Sequence, residues 1–224
     1  MSRERAVVVE LVGPAGAGKT TLAKGVTAAD ATVRSGLSLW GLPRRRLFRS
    51  AMALLPTILG ATFNRTHLRA GEMAQMIRLG ALRSVVEDEA SQHRIIILDE
   101  GPVFALSWLD VFFAGKGDHV PNAWRRRVVA EWATLLDVVV FIDASDITLA
   151  SRIRTREKSH DVKELPDAEI FGFSAGFRRA FKRAIDELAV AGHIVVDSLK
   201  TDANPVDENT ALLMTKLTQR HNGN

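Results

Sequence analysis

The chain has no cysteine and no tyrosine among its 224 residues. Without thiols there is neither a disulfide framework nor a thiolate metal site, and the expected location is cytoplasmic. Without tyrosine, an aromatic wall in any binding pocket has to come from other rings, with Trp40, Phe63 and Trp108 as candidates. The six histidines, at 67, 93, 119, 160, 193 and 221, lack the paired spacing that zinc requires. Long apolar runs are missing too, and none approaches the ~20 residues needed to cross a bilayer. The opening MSRERAVVVELVG runs straight into an apolar segment, which leaves no room for a cleavable signal. No repeat, low-complexity tract or Pro/Ser-rich linker divides the sequence, so one domain spanning 1–224 is expected. Acidic residues are locally absent as well: from Ala31 through Gly71 there is no Asp or Glu, while Arg34, Arg44, Arg45, Arg46, Arg49, Arg65 and Arg69 all fall there.

What is present is most informative near the N-terminus. The β-branched run Val7 to Val12 stops at Gly13-Pro14-Ala15-Gly16-Ala17-Gly18-Lys19-Thr20-Thr21, which fits G-x-x-x-x-G-K-[ST] and leads into a helical stretch. Glycines let the backbone curl its N–H groups around phosphate oxygens. Lys19 adds a mobile positive charge, Thr20 offers a hydroxyl to Mg²⁺, and the helix that starts here aims its positive end at the same anion. ATP with Mg²⁺ is the ligand this pattern calls for, bound by residues 13 to 21.

Further apolar runs, Arg94 to Leu98, Val138 to Ile142 and His193 to Val196, alternate with helix-like segments, and Val33 to Trp40 offers one more short strand. Helices are expected over Lys19–Ala29, Thr66–Gln92, Ala123–Thr134, Ile147–Glu157, Pro166–Ala191 and Pro205–Arg220. This βαβα rhythm, with strands apolar on both faces, predicts a three-layer αβα sandwich around a parallel, doubly wound sheet, with ligands at the carboxyl ends of the strands. At one such end lies Asp99-Glu100-Gly101. Asp99 is the candidate metal residue, and Glu100 the candidate for accepting a proton from an attacking hydroxyl or water.

After the strand Val138 to Ile142 the chain continues Asp143-Ala144-Ser145 and then carries Arg152-Ile153-Arg154-Thr155-Arg156. An apolar strand, D-A, and a helix with R-I-x-x-R resemble the lid of the nucleoside monophosphate kinase and thymidylate kinase-like group of P-loop kinases. The resemblance implies the P-loop NTPase fold with a helical lid over about 152–176. It also implies that Arg152 stacks on adenine and Arg156 reaches the transferred phosphoryl. The spacing of four puts both guanidinium groups on one helix face. The same resemblance puts Ser198 to Asn204, after a strand ending at Asp197, beside the adenine, with Thr201 to Asn204 as neighbours.

The pattern departs from that group at Asp99-Glu100-Gly101, where thymidylate kinases tend to carry Asp-Arg and deoxynucleoside kinases acid-Arg-Ser. The arginine that would clamp the acceptor is missing, so thymidylate is not carried over as substrate. The expected activity is transfer of the γ-phosphoryl of ATP to a small hydroxyl- or phosphate-bearing acceptor, such as a nucleotide or an envelope or lipid-linked sugar, with Lys19, Glu100 and Arg156 at the chemistry. The alternative is a P-loop ATPase in which Glu100 activates water.

The acceptor region is expected at about 31–92, where three readings of the arginine-rich window stand side by side. Arg44, Arg65 or Arg69 hold an anionic group of the acceptor; or Arg44 to Thr62 forms a basic, apolar helix on an anionic membrane at the inner face; or that helix packs into the core through Met52, Leu55 and Leu59. A net charge of +4 and a pI near 9.8 suit anionic small molecules or surfaces, and no specific nucleic-acid partner is expected. A homodimer is compatible with the sequence.

Overall fold

The computed structural model describes residues 5–63, 68–113, 120–157 and 162–221. Its elements are β1 (Val7–Val12), α1 (Lys19–Ala29), β2 (Val33–Ser38), α2 (Arg44–Phe63), α3 (Ala70–Glu89), β3 (Ile95–Glu100), α4 (Pro102–Phe113), α5 (Asn122–Ala133), β4 (Val138–Asp143), α6 (Asp146–Thr155), α7 (Asp167–Ala191), β5 (Val195–Lys200) and α8 (Val206–His221). The strands form one sheet in the order β2-β3-β1-β4-β5, every pairing parallel. Parallel pairing between sequentially distant strands needs a crossover, and the helices supply it.

β1 holds the centre. All six of its residues are buried, and successive side chains go to opposite layers. Val8 and Val12 join α3, α4, α5 and α7 in one core; Val7, Val9 and Leu11 join α1 and α8 in the other. The result is the expected three-layer αβα sandwich. β1 and β4 pair in the register Val12 with Phe141, so the chain turns after Val12 and after Asp143 at the same edge of the sheet.

Three elements differ from the sequence expectation. The segment Pro102–Phe113, not read as a helix, is α4: PVFALSWLDVFF is apolar almost all round, so it shows no polar stripe to betray a helical period. Pro102 occupies its first turn, where a missing N–H costs nothing. β5 does not end at Asp197; it pairs with β4 as far as Lys200 opposite Asp143. As an edge strand it alternates exposed and covered residues, so only half of it looks like a strand. Finally, Met52, Leu55 and Leu59 do not pack inward. They are exposed, and α2 instead buries Leu54 and Ala61. Among the described residues no helix is long and apolar enough to cross a membrane.

Candidate active site

The turn after β1 has the geometry its glycines allow. Gly16 and Gly18 have φ of 82° and 92°, the left-handed region that a side chain resists. Gly13 is required for space as well, since a Cβ there would lie 1.9 Å from the carbonyl oxygen of Ile142. The loop lines a cavity of about 660 Å³ through Gly13, Pro14, Ala15, Gly16, Gly18, Lys19, Thr20 and Thr21. Ala17 is fully buried beneath it and does not line the cavity. Lys19 Nζ donates to the carbonyls of Gly13 at 2.6 Å and Pro14 at 3.0 Å, which keeps the charge at the cradle. Burial lowers the Lys19 pKa to about 8, opposed by the negative charges of Glu100 and Asp99 and helped by Arg156. Lys19 thus has two acids and a second cation close enough to act on its charge.

The two acids come from the end of β3. Glu100 lines the cavity. Asp99 has a buried Oδ1 with no hydrogen-bond partner, and burial raises its pKa against the pull of Lys19 and Lys24. An unsatisfied carboxylate oxygen of this kind would suit a hard cation; Thr20 lines the cavity, whereas Asp99 is not among its lining residues. Among the described residues no group of three or more His, Cys, Asp or Glu could hold a metal. A divalent ion held by Asp99 or Thr20 would therefore need further ligands from a bound nucleotide or water, as Mg²⁺ commonly does.

The second cation, Arg156, stands at the C-terminal end of α6. From the same helix Arg152 crosses to the loop, donating to Gly16 O at 3.3 Å, Thr201 Oγ1 at 2.9 Å and Thr201 O at 3.2 Å. Thr201 in turn donates to the carbonyl of Ala17 at 3.0 Å. Arg152, Arg156, Thr201, Val206 and Asn209 all line the cavity. α6 itself is anchored by Arg178 of α7, which donates to both oxygens of Asp143 and, at 2.6 Å, to Asp146 Oδ1.

Past Glu100 the cavity changes character. It is walled by Phe104, Trp108 and Phe112 of α4 and by Phe173, Phe177 and Phe181 of α7. Phe112 and Trp108 have centroids 5.1 Å apart, and Phe173 and Phe177 4.9 Å. Of the three rings named from the sequence only Trp108 is here. Trp40 is exposed under Arg78, and Phe63 is 85 % exposed. The i, i+4 spacing of 104, 108, 112 and of 173, 177, 181 was the available signal for this wall.

A second feature without a sequence signal is Glu10, an acid inside apolar β1. Its carboxylate accepts from the backbone N–H groups of Gly101, Val103 and Phe104, each at 2.9 Å, and so caps α4 from within the sheet. Burial nevertheless raises its pKa to about 7, the three N–H groups opposing and Glu100 adding to the rise. The arrangement requires glycine at 101: a Cβ there would lie 2.7 Å from Glu10 Cδ.

The arginines expected at the acceptor are not brought to this cavity among the described residues. Arg44 is exposed on α2, and Arg69, at the start of α3, stands 5.8 Å from the Phe113 ring centroid; neither lines the cavity. Arg65 lies outside the described residues.

No family model matches the sequence, and no curated protein does. Solved structures do match it along nearly its whole length. A deoxyadenosine kinase from M. mycoides, solved with dCMP and dCDP, superposes with a TM-score of 0.58 at 15% identity, covering 95% of this chain and 100% of its own. The thymidylate kinase of Candida albicans gives 0.58 at 13% identity, with 98% and 94% covered. A shikimate kinase from Bacteroides thetaiotaomicron gives 0.50 at 16% identity, with 95% and 98% covered. With an all-parallel five-stranded sheet, helices on both faces and these neighbours, the chain has the P-loop nucleoside monophosphate kinase-like fold.

Proposed function

We propose that the protein is an Mg-ATP-dependent kinase that moves the γ-phosphoryl of ATP to a small acceptor. The observation that carries this reading is one continuous cavity with an anion cradle at one end and an aromatic-walled space at the other. Glu100, at the end of β3 and just ahead of α4, lines the same cavity. In this reading the loop amides and Lys19 hold the outer phosphates, Thr20 and Asp99 hold the metal, Arg152 packs on the adenine, Arg156 draws the transferred group, and Glu100 accepts the acceptor's proton. Mg²⁺, when bound, neutralises charge on the phosphates. In this reading 152–157 and 162–176 cover the reacting groups from water; residues 158–161 of the expected lid lie outside the described residues.

An ATPase that activates water through Glu100 has no use for the second half of the cavity, which favours transfer over hydrolysis. Incubation with ATP labelled on its γ-phosphate, alone and with a panel of acceptors, separates them: label appearing on an acceptor supports the kinase, whereas fast acceptor-independent phosphate release supports the ATPase. Lys19→Ala should abolish either activity with a melting temperature near that of the parent; activity retained in this variant refutes the assignment of the nucleotide site.

We propose also that α2 rests on an anionic membrane. Phe48, Met52, Leu55, Leu59 and Phe63 are exposed at helical spacing, and the same helix begins with Arg44 and Arg45 in a window without a single acid.

A further inference from the structure

We propose that the acceptor is an uncharged hydroxyl compound with an apolar ring or chain, and that monophosphates are excluded. The inference rests on the kinase reading and narrows its acceptor. The space beyond Glu100 is bounded by Phe104, Trp108, Phe112, Phe173 and Phe177, rings locked against one another by stacked and edge contacts of 4.9–6.5 Å. Ring faces of this kind grip planar or aliphatic bodies and offer nothing to an anion.

The charges around the cavity point the same way. Among the described residues the cations that line it are Lys19, Arg152 and Arg156, all on the loop and α6, where the nucleotide's own phosphates would meet them. Among the described residues of α2 and α3 no arginine lines the cavity. Arg46 pairs with Asp88, Arg83 with Glu87 at 2.9 Å, and Arg78 covers Trp40 at 4.2 Å. Among the described residues the acid that lines the cavity is Glu100, whose carboxylate would repel a second phosphate and accept a hydroxyl proton. A monophosphate placed against the rings would lose hydration and, among the described residues there, meet no counter-charge.

The step balances without another reactant. The acceptor oxygen bonds to the γ-phosphorus as the bond from that phosphorus to the β,γ-bridging oxygen breaks. ADP leaves with the bonding pair, and the hydroxyl proton passes to Glu100 and on to water.

The test is calorimetric titration of the full chain, saturated with Mg-ADP, using 3-phenylpropanol and geraniol, each against its own monophosphate. At least one alcohol should bind, its monophosphate at least tenfold more weakly, and Phe112→Asp at the cavity rim should weaken the alcohol at least tenfold with Mg-ADP affinity unchanged. A monophosphate that binds as well as or better than its alcohol, or no binding by either alcohol, overturns the inference while leaving the kinase reading standing. Failure to bind Mg-ADP in the first titration overturns the kinase reading and this inference with it. Should Phe112→Asp not fold, the alcohol-to-monophosphate ratio in the parent protein decides alone.

Discussion

Glu10 and Gly101 explain each other. A carboxylate buried at the centre of a sheet persists because three amide N–H groups at the start of α4 converge on it, and those amides come within reach only if residue 101 has no side chain. Gly101→Ala should therefore cost about 1–3 kcal/mol through overpacking against Glu10, read as a lower urea midpoint at unchanged slope; a neutral result would mean that the carboxylate moves aside freely. The raised pKa has its own consequence. The folded protein keeps a proton on Glu10 between pH 4.5 and about 7 that the unfolded chain releases. Stability from this group is therefore fully present below pH 4.5 and is lost as pH rises through 7. The difference is on the order of 3 kcal/mol, at about 1.4 kcal/mol for each tenfold change in proton affinity. Urea unfolding at pH 5 and pH 7.5 should show that loss in the parent and a much flatter profile in Glu10→Gln. Equal pH dependence in the two proteins would place the titration elsewhere. Nothing local in the sequence announces Glu10, because an isolated acid in an apolar strand has the same spelling whether it is capping a helix or facing water.

At the scale of elements, what could be read was what is buried on both faces or repeats with a clear period. β1, β3 and β4 are continuous apolar runs, and α7 carries an amphipathic 25-residue pattern, so both types declare themselves. The turn from Gly13 to Thr21 was legible because phosphate binding dictates its residue types. Arg152 and Arg156, both of which line the cavity, were singled out through resemblance alone, since their spacing by itself describes any basic helix face. α4 was not legible as a helix, and with it went Phe104 and Phe112 of the aromatic wall, though Trp108 was named. A helix sandwiched between α3 and α7 has apolar residues all round and no period to detect. α2 misled in the other direction, because a stripe of Met52, Leu55 and Leu59 looks the same whether its partner is the core or something outside the molecule. Here the stripe faces outward. If its partner is a membrane, sedimentation with vesicles rich in phosphatidylserine should capture the protein. Leu55→Asp with Leu59→Asp should abolish capture, and Arg44→Ser with Arg45→Ser should weaken it and its salt sensitivity. A protein that ignores vesicles but halves its sedimenting mass in the double-Asp variant would assign the stripe to a second copy of the chain.

Across the whole molecule, α7 is the element common to both ends of the cavity. Arg125 of α5 donates to Asp110 of α4 at 2.9 Å and to Glu187 of α7 at 2.8 Å, fixing the aromatic wall. Arg178, on the same α7, ties the helix to Asp143 at the end of β4 and to Asp146 of α6, the helix that brings Arg152 and Arg156 to the loop. A ligand held at the loop would thus brace a helix that also carries part of the aromatic wall. Binding to the folded state alone stabilises it by mass action, about 2.7 kcal/mol at a hundredfold excess over Kd, which for a chain of this size raises the melting temperature by about 5–10 °C. Mg-ADP should produce that rise in the parent protein. Arg178→Ala removes hydrogen bonds to two carboxylates and to the carbonyl of Ala144, so it should lower the unliganded melting temperature and also shrink the rise caused by Mg-ADP, because α6 no longer holds its arginines at the loop. A variant that melts lower yet gains as much from Mg-ADP as the parent would show that Arg178 supports the fold without positioning the site.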